Sequence, residues 1–275
     1  DLAAYAHVAY QTAYLKANYP AEFTAAALTS EMNNTSKLAQ MLEEAKRSDF
    51  DVRPPSINRS EAGFTVEEGD LRFGLGAVKG VGSSAIESLV KARAKHGPFE
   101  TLVDLCEHLD LRSVNKKTLE CLAEAGALDD LEGHRAQFLE AMDDVVRHAQ
   151  KVQNDRAMGQ NSLFGDMEQQ NALSKPSLPA VDHWSKSERL KHERERAGFY
   201  VSGHPLDEYQ AEVAAIANAR AGEPDTYADG DERRFCGIIT EFDRRTTRKG
   251  KPIAFVTIED FTGQAEIVCF SRQLD

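Results

Sequence analysis

The sequence lacks the residue patterns of most catalytic and metal-binding sites. Its 8 histidines form no HExxH or similar metal-ligand spacing, and no GxxxxGK[ST] loop is present to hold nucleotide phosphates. Its 4 cysteines are scattered, so neither a CxxC zinc site nor a disulfide framework is indicated, and we interpret them as reduced thiols. Helix caps and solvated helix faces explain the aspartate pairs at 129–130 and 143–144 better than a two-metal catalytic site does. No catalytic residue and no metal ligand is therefore assigned.

Long apolar runs are also missing. No stretch approaches the roughly 18 apolar residues that a membrane-spanning helix needs. The first residues, Asp1 to Ala4, include no initiator Met, no basic segment and no signal-like stretch, so we expect the chain to begin inside a longer protein. Its 275 residues, 41% of them hydrophobic, suffice for about two domains with packed cores. We expect a cytoplasmic protein with no membrane partner.

Acidic residues outnumber basic ones, 45 to 33, but the basic residues are concentrated in one place. The formal net charge of −12 taken alone argues against a nucleic-acid-binding protein. A short segment near the C-terminus nevertheless contains five basic residues and no acidic one: Arg244, Arg245, Arg248, Lys249 and Lys251. A local patch of this kind matters more for phosphate binding than the charge of the whole chain.

The pattern of residues predicts a mainly helical chain that ends in strands. Pro20 suits the first turn of a helix, and Thr35 or Ser36 is the expected cap of the next one. The predicted segments are helices over 1–50, an extended stretch with a short β-pair over 51–73, helices over 74–150, a polar linker over 151–185, helices over 186–218 and strands from 233.

The segment from Lys79 to Ser84 is the first candidate binding site. Gly80-Val81-Gly82 permits a sharp turn just before a helix, for which Ser83 or Ser84 is the expected cap. Free amides and the positive end of the helix favour a phosphate oxygen, while Val81 can anchor the turn in the core. This pattern indicates a helix-hairpin-helix element that binds DNA backbone without reading sequence. An ordinary glycine turn before a helix is the alternative.

Helix-hairpin-helix elements usually occur in pairs, and residues 115–128 offer a helix followed by a glycine turn. A further helix is predicted from His134. Because this second segment has no GxG, a purely structural role is at least as probable on the pattern as a phosphate contact.

The polar linker contains a candidate protein-binding peptide, Gln160-Asn161-Ser162-Leu163-Phe164. Two adjacent apolar side chains, Leu163 and Phe164, can fill a pocket on a partner, while Gln160 and Ser162 make polar contacts. The pattern matches peptides that bind a sliding clamp. Packing of Leu163 and Phe164 on a neighbouring helix is the alternative.

The basic segment at residues 244–251 is predicted to be the tip of a β-hairpin. Its flanking strands carry several phenylalanines, and a basic loop on a small barrel is typical of proteins that bind single-stranded nucleic acid. The charge alternatively serves only solubility, with the phenylalanines in the core. Three strands are too few to close a barrel, which predicts an incomplete domain.

Several of these stretches, in the same order, resemble the alpha subunit of bacterial DNA polymerase III, the C family of replicative polymerases. The similar stretches are 4–23, 54–58, 74–82, 160–164, 198–206 and 257–263. The resemblance implies an internal piece that is mainly α and multidomain, with a partial all-β OB barrel at its end. The implied parts are the end of the fingers region (1–73), a tandem helix-hairpin-helix domain (74–150), a linker with the clamp peptide (151–185), a helical connector (186–230) and the start of an OB domain (231–275).

The resemblance also implies a function and partners. The parent protein would be a DNA-directed DNA polymerase that uses Mg²⁺ and works with a sliding clamp and other replicase subunits. Duplex DNA would contact the turn formed by Lys79, Gly80, Val81, Gly82 and Ser83. Single-stranded template is the expected partner of the five basic residues at 244–251. A non-enzymatic adaptor that recruits a clamp to DNA, or an error-prone paralogue of the same family, remains the alternative.

Overall fold

The computed structural model describes residues 2–48, 50–157 and 175–274. The chain divides into two compact units, Asp1–Ser202 and Gly203–Asp275. The first unit is mainly helical, and the second ends in a three-stranded antiparallel sheet. The predicted fold class, helices followed by a partial barrel, is confirmed.

The first unit begins with three helices, α1 (Leu2–Asn18), α2 (Pro20–Ser30) and α3 (Thr35–Arg47). Pro20 occupies the first turn of α2, as predicted. The cap of α3 is Asn34, whose side chain accepts a hydrogen bond from the Lys37 amide at 3.1 Å, so the prediction of Thr35 or Ser36 was wrong.

A small sheet follows, made of β1 (Val52–Arg53), β2 (Thr65–Glu67) and β3 (Asp70–Arg72). The strand order is β1-β3-β2, with β2 antiparallel and β1 parallel to β3. Arg72 is buried and donates from Nη1 to the Pro54 carbonyl at 2.7 Å, which ties β3 to the segment that follows β1. Glu67 accepts from Arg72, and this hydrogen bond lowers the pKa of the Glu67 carboxyl despite its partial burial.

Four helices then pack around one core: α4 (Ser83–His96), α5 (Leu102–His108), α6 (Lys116–Glu124) and α7 (Arg135–Ala157). A single-turn 3-10 helix, Leu75–Ala77, precedes α4. Fully buried large side chains come from the elements between α2 and α7, including Leu28, Leu42, Phe73, Leu89, Leu105, Leu119 and Phe138, whereas α1 buries none.

The helix α8 (Lys186–Ala197) packs on the core beside α6. Its last turn accepts a hydrogen bond from the Lys79 amide through the Arg196 carbonyl, at 2.8 Å. Just beyond it, Phe199 is buried against Phe73 with ring centroids 5.4 Å apart. The segment after the polar linker therefore belongs to the same compact unit as the four-helix core.

The second unit contains the short helix α9 (Gln210–Ile216) and the strands β4 (Ile238–Thr246), β5 (Pro252–Asp260) and β6 (Gly263–Phe270). The strand order is β4-β5-β6, and each neighbouring pair is antiparallel. Ala254, Val256 and Ile258 of the central strand are buried on one face. Asp260 closes the sheet onto the preceding loop by accepting from the Ala221 amide at 2.7 Å.

None of the helices that the structure describes is long and apolar enough to cross a membrane. Within the same residues, no three His, Cys, Asp or Glu side chains converge as a metal site requires.

Candidate nucleic-acid interface

The turn before α4 is fixed by contacts on its buried side. Gly80 has φ +90°, and a Cβ at this position would lie 2.6 Å from the Cys121 sulfur of α6. Val81 is buried, and its amide donates to the Val78 carbonyl at 3.2 Å, which closes the turn. Burial raises the pKa of the Cys121 thiol, so the group beneath the turn stays neutral. The turn is thus a fixed backbone feature, with Val81 as the anchor that the sequence predicted.

The first turn of α4 has no side-chain cap. Gly82 is the N-cap residue, with φ −82° and ψ 158°, and Ser83 is already helical, so the prediction that Ser83 or Ser84 caps the helix was wrong. Within the described part of the chain, the amides of Gly82, Ser83 and Ser84 donate to no protein acceptor. All three residues are exposed. These amides, at the positive end of a helix, form a ready site for an anion.

Lys79 adds a full positive charge beside these amides. Its backbone amide is held by Arg196, but its side chain is exposed. It makes no ion pair with any carboxylate in residues 2–48, 50–157 or 175–274. The structure therefore brings Lys79, Gly80, Gly82 and Ser83 together on one exposed surface, with Val81 turned inward.

The second predicted turn has a different construction. Asn115 caps α6 by accepting from the Thr118 amide at 3.0 Å. After α6, Gly126 has φ +85°, and a Cβ there would overlap the Nη2 of Arg135. The turn amides are satisfied internally, since Gly126 donates to Ala123 at 3.0 Å and Ala127 donates to Leu122 at 2.9 Å.

Arg135 is the side chain that fills this second turn. It donates to both oxygens of Asp129 at 2.6 to 3.1 Å and to Glu193 of α8 at 2.8 Å. Burial opposes its charge, but the hydrogen bonds and charges of Asp129 and Glu193 raise the pKa of Arg135. Glu193 is fully buried and also accepts from the Val201 and Ser202 amides. This ion-pair network gives the Gly126 turn a structural role.

The basic segment of the second unit is only partly a turn. Strand β4 continues to Thr246, so Arg244 and Arg245 pair with Ala254 and Ile253 of β5 and do not lie at the tip. The reversal itself is closed by the Thr247 amide, which donates to the Lys251 carbonyl at 2.9 Å. The five basic side chains are exposed: Arg244, Arg245, Arg248, Lys249 and Lys251.

One of these five cations is already engaged. Arg245 pairs with Asp243 at 2.6 Å and lies 5.3 Å from the centre of the Phe255 ring. The hydrogen bond to Asp243 raises the pKa of Arg245. Because successive strand residues alternate between faces, Arg244 and Arg245 lie on opposite faces of the sheet. No single face therefore presents the whole set.

The candidate clamp-binding residues, Gln160, Ser162, Leu163 and Phe164, lie outside the described residues.

Sequence reasoning missed one cluster, which lines a cavity beside the Gly126 turn: His134, Arg135, His183, Trp184 and Arg189. These residues come from the start of α7 and from the segment 183–189, and they meet only in the fold. The adjacent His134-Arg135 pair at a helix start was the one local signal available.

Comparison with known proteins agrees with this architecture. Residues 49–138 match the family model described as a helix-hairpin-helix motif. Over 274 residues, 99% of this chain, the sequence is 38% identical to the DNA polymerase III subunit alpha of Vibrio cholerae. It is also 38% identical over 271 residues to that of Caulobacter vibrioides and 39% identical over 275 residues to that of Neisseria meningitidis serogroup B.

The similarity to bacterial DNA polymerase III alpha subunits extends over 97 to 99% of this chain. It spans about a quarter of the length of these curated relatives, 23 to 24% of each. The helix-hairpin-helix match starts before residue 74, where the domain was predicted to begin, and so includes the small sheet. Of the two predicted turns, the structure leaves amides open only at the first one within the described residues.

Proposed function

We propose that the first helix-hairpin-helix turn binds the backbone of duplex DNA without reading its sequence. The observation that carries this proposal is the uncapped start of α4. Its first three amides belong to exposed residues, and Lys79 beside them pairs with no carboxylate of the described residues. A phosphate oxygen at a helix N-terminus accepts hydrogen bonds from such amides and is favoured by the helix dipole. Contacts of this kind set position and carry no base information.

The relatives support a wider role for the parent protein. We propose that this chain is part of a DNA-directed DNA polymerase that copies the bacterial chromosome in the cytoplasm. The described residues offer no cluster that fits a metal ion, so the Mg²⁺ expected for nucleotidyl transfer is assigned to none of them. Binding of the duplex is the contribution proposed for this stretch.

The second proposed contribution is a tether to the sliding clamp through the peptide Gln160 to Phe164. Leu163 and Phe164 would enter a pocket on the clamp, and Gln160 and Ser162 would orient the peptide. A tether makes each re-engagement with DNA intramolecular, which raises the effective concentration and hence processivity. Similarity to polymerase subunits over 99% of the chain favours this role over that of a non-enzymatic adaptor.

A third proposed contact is that of the basic segment with single-stranded template. Arg244, Arg248 and Lys249 are exposed and form no ion pair within the described residues, whereas Arg245 is paired with Asp243. Exposed cations flanked by aromatic side chains suit a flexible strand, whose backbone meets the charge while its bases stack.

The duplex contact is tested by measuring fluorescence anisotropy of a labelled duplex with wild-type protein and two variants, Lys79→Gln and Lys91→Gln. Both lysines are exposed, and Lys91 lies further along α4, so the two variants change the net charge equally. We expect Lys79→Gln to weaken binding to all sequences alike and to reduce the slope of log K against log salt by about 1, while Lys91→Gln changes neither. Equal effects of the two variants would remove the turn from the contact.

The clamp contact is tested with the Leu163→Ala/Phe164→Ala double variant. We expect the wild-type chain to bind the bacterial sliding clamp and the double variant to lose that binding. Equal binding of both would place the contact elsewhere, and no binding by either would favour the error-prone paralogue or a DNA-binding module without a clamp.

A further inference from the structure

A cavity of about 200 Å³ opens beside the Gly126 turn, between the start of α7 and the segment that leads into α8. It is several times larger than the roughly 30 Å³ that one water molecule occupies in the liquid. The side chains and backbone that line it come from Asp129, Gly133, His134, Arg135, Ala136, His183, Trp184 and Arg189.

Arg189 supplies unbalanced positive charge to this cavity. It forms no ion pair with a carboxylate in the described part of the chain, and its Nε atom is buried with no hydrogen-bond acceptor. The acidic group of the lining, Asp129, is already bound by Arg135 through both carboxylate oxygens. An unsatisfied guanidinium donor is costly in a protein interior, which indicates that an acceptor from outside the described residues completes it.

The opposite wall carries further donors. The His134 ring stacks on His183 with centroids 3.8 Å apart, and the buried His134 Nδ1 has no partner among the described residues. His134 also directly precedes α7, whose first intrahelical bond runs from the Phe138 amide to the His134 carbonyl. Among the described residues, no side chain accepts from the amides of residues 135 to 137. The positive end of a helix of 23 residues therefore faces the same region.

We propose that this cavity binds a phosphate group, with Arg189 as its charged contact and with His134 and the first turn of α7 as neutral donors. A metal cation is disfavoured by the free guanidinium, and an apolar ligand would leave these polar atoms unpaired. A guanidinium together with helix N-terminal amides is a donor set suited to a phosphate. The site is separate from the Lys79 turn, so it does not depend on the duplex contact proposed above.

The protein contains its own probe for this site. Trp184 is the single tryptophan of the 275 residues, lines the cavity and stacks on His192 with ring centroids 4.3 Å apart. Its fluorescence is therefore expected to change when the cavity is occupied. The titrant is inorganic phosphate, with sodium chloride adjusted to hold the ionic strength constant.

We expect a saturable change in Trp184 emission for the wild-type chain and for Lys191→Gln, a matched loss of one exposed charge on the same helix. Arg189→Gln is expected to weaken the binding roughly ten- to hundredfold, the loss typical for a hydrogen bond to a charged group. Arg189→Lys should keep part of the affinity because it retains the charge. Thermal unfolding verifies that each variant is folded, and His134→Gln replaces any Arg189 variant that is not.

The source of the phosphate is distinguished by a second titration, with a short oligonucleotide that has no terminal phosphates. A Trp184 response that free phosphate competes away would identify a nucleic-acid backbone as the ligand. A response to inorganic phosphate alone would identify a free phosphate or a phosphate monoester. If neither titrant alters the emission, or if Arg189→Gln responds like the wild type, the proposal is wrong. Lys79→Gln should leave both titrations unchanged, which separates this test from that of the first turn.

Discussion

The turn before α4 and the turn after α6 share a backbone feature but present different surfaces. Each contains a glycine at positive φ, +90° at Gly80 and +85° at Gly126. Gly80 packs against the Cys121 side chain on the core side of the turn, and the amides at the start of α4 donate to no acceptor in the described residues. At Gly126 the Arg135 side chain fills the space, and the turn amides bond to α6 carbonyls. A glycine turn next to a helix therefore predicts a backbone shape, while the packed neighbours decide whether its amides can meet a ligand.

The largest expected effect on stability comes from replacing Arg135, whose side chain fills the second turn. Arg135→Gln leaves the fully buried Glu193 without its cationic partner, and we expect the free energy of unfolding to fall by about 3 to 5 kcal/mol. Chemical denaturation of the first unit measures it. Arg147→Gln is the control on the same helix, because its ion pair with Asp144 is exposed, and it should have no measurable effect. Similar stability of both variants would contradict the structural role of the second turn.

The first turn should be sensitive in a different way. Gly80→Ala forces a side chain into a left-handed backbone conformation and against Cys121, and we expect a loss of about 1 to 3 kcal/mol in unfolding free energy. Gly97→Ala is the matched control, since Gly97 has φ +87° but open space around its Cβ position. The difference in unfolding free energy between the two variants measures the clash with Cys121. Adding Cys121→Ala to Gly80→Ala should therefore recover part of the lost stability. No recovery would mean that the clash is absorbed elsewhere.

A smaller effect, on DNA affinity, distinguishes the basic segment from the first turn of the helical unit. Arg248→Gln/Lys249→Gln is expected to lower affinity for single-stranded DNA and to reduce its salt slope, because each lost phosphate contact removes about one from that slope. Duplex affinity should stay unchanged, since the first turn is intact. Anisotropy titrations with both DNA forms measure the two affinities. A parallel loss for both forms would assign the basic segment to general electrostatic attraction.

The helices, the strands and the inward position of Val81 could be predicted from local pattern. The two caps could not: Asn34 and Gly82 hold these positions, each one residue or more before the predicted serine or threonine. Neighbouring polar residues can all serve as the N-cap, and the backbone conformation before the helix selects one of them. Arg244 and Arg245 were predicted at a tip because an exposed strand and a turn can carry the same polar residues.

The cavity and the Arg135–Glu193 pair could not be predicted, because only packing joins their distant parts. Arg135 and Glu193, for example, are 58 residues apart in sequence. Local periodicity describes one element at a time and says nothing about such long-range contacts. The exposed amides of the first turn could not be predicted for the same reason. They depend on the packing of Gly80 on Cys121 and on the hydrogen bond from the Lys79 amide to the Arg196 carbonyl, which only the folded chain shows.

The central claim is that the uncapped amides of α4 bind a DNA phosphate, and a cap introduced at Gly82 tests it most directly. Gly82 has φ −82° and open space around its Cβ position, so Asp, Asn or Ala can be placed there without strain. Gly82→Asp should occupy the amides with its own carboxylate, leave stability equal or a few tenths of a kcal/mol higher, and weaken duplex binding about tenfold or more. Gly82→Asn should weaken it less, and Gly82→Ala hardly at all. Duplex affinity that is equal in all four proteins would contradict the account.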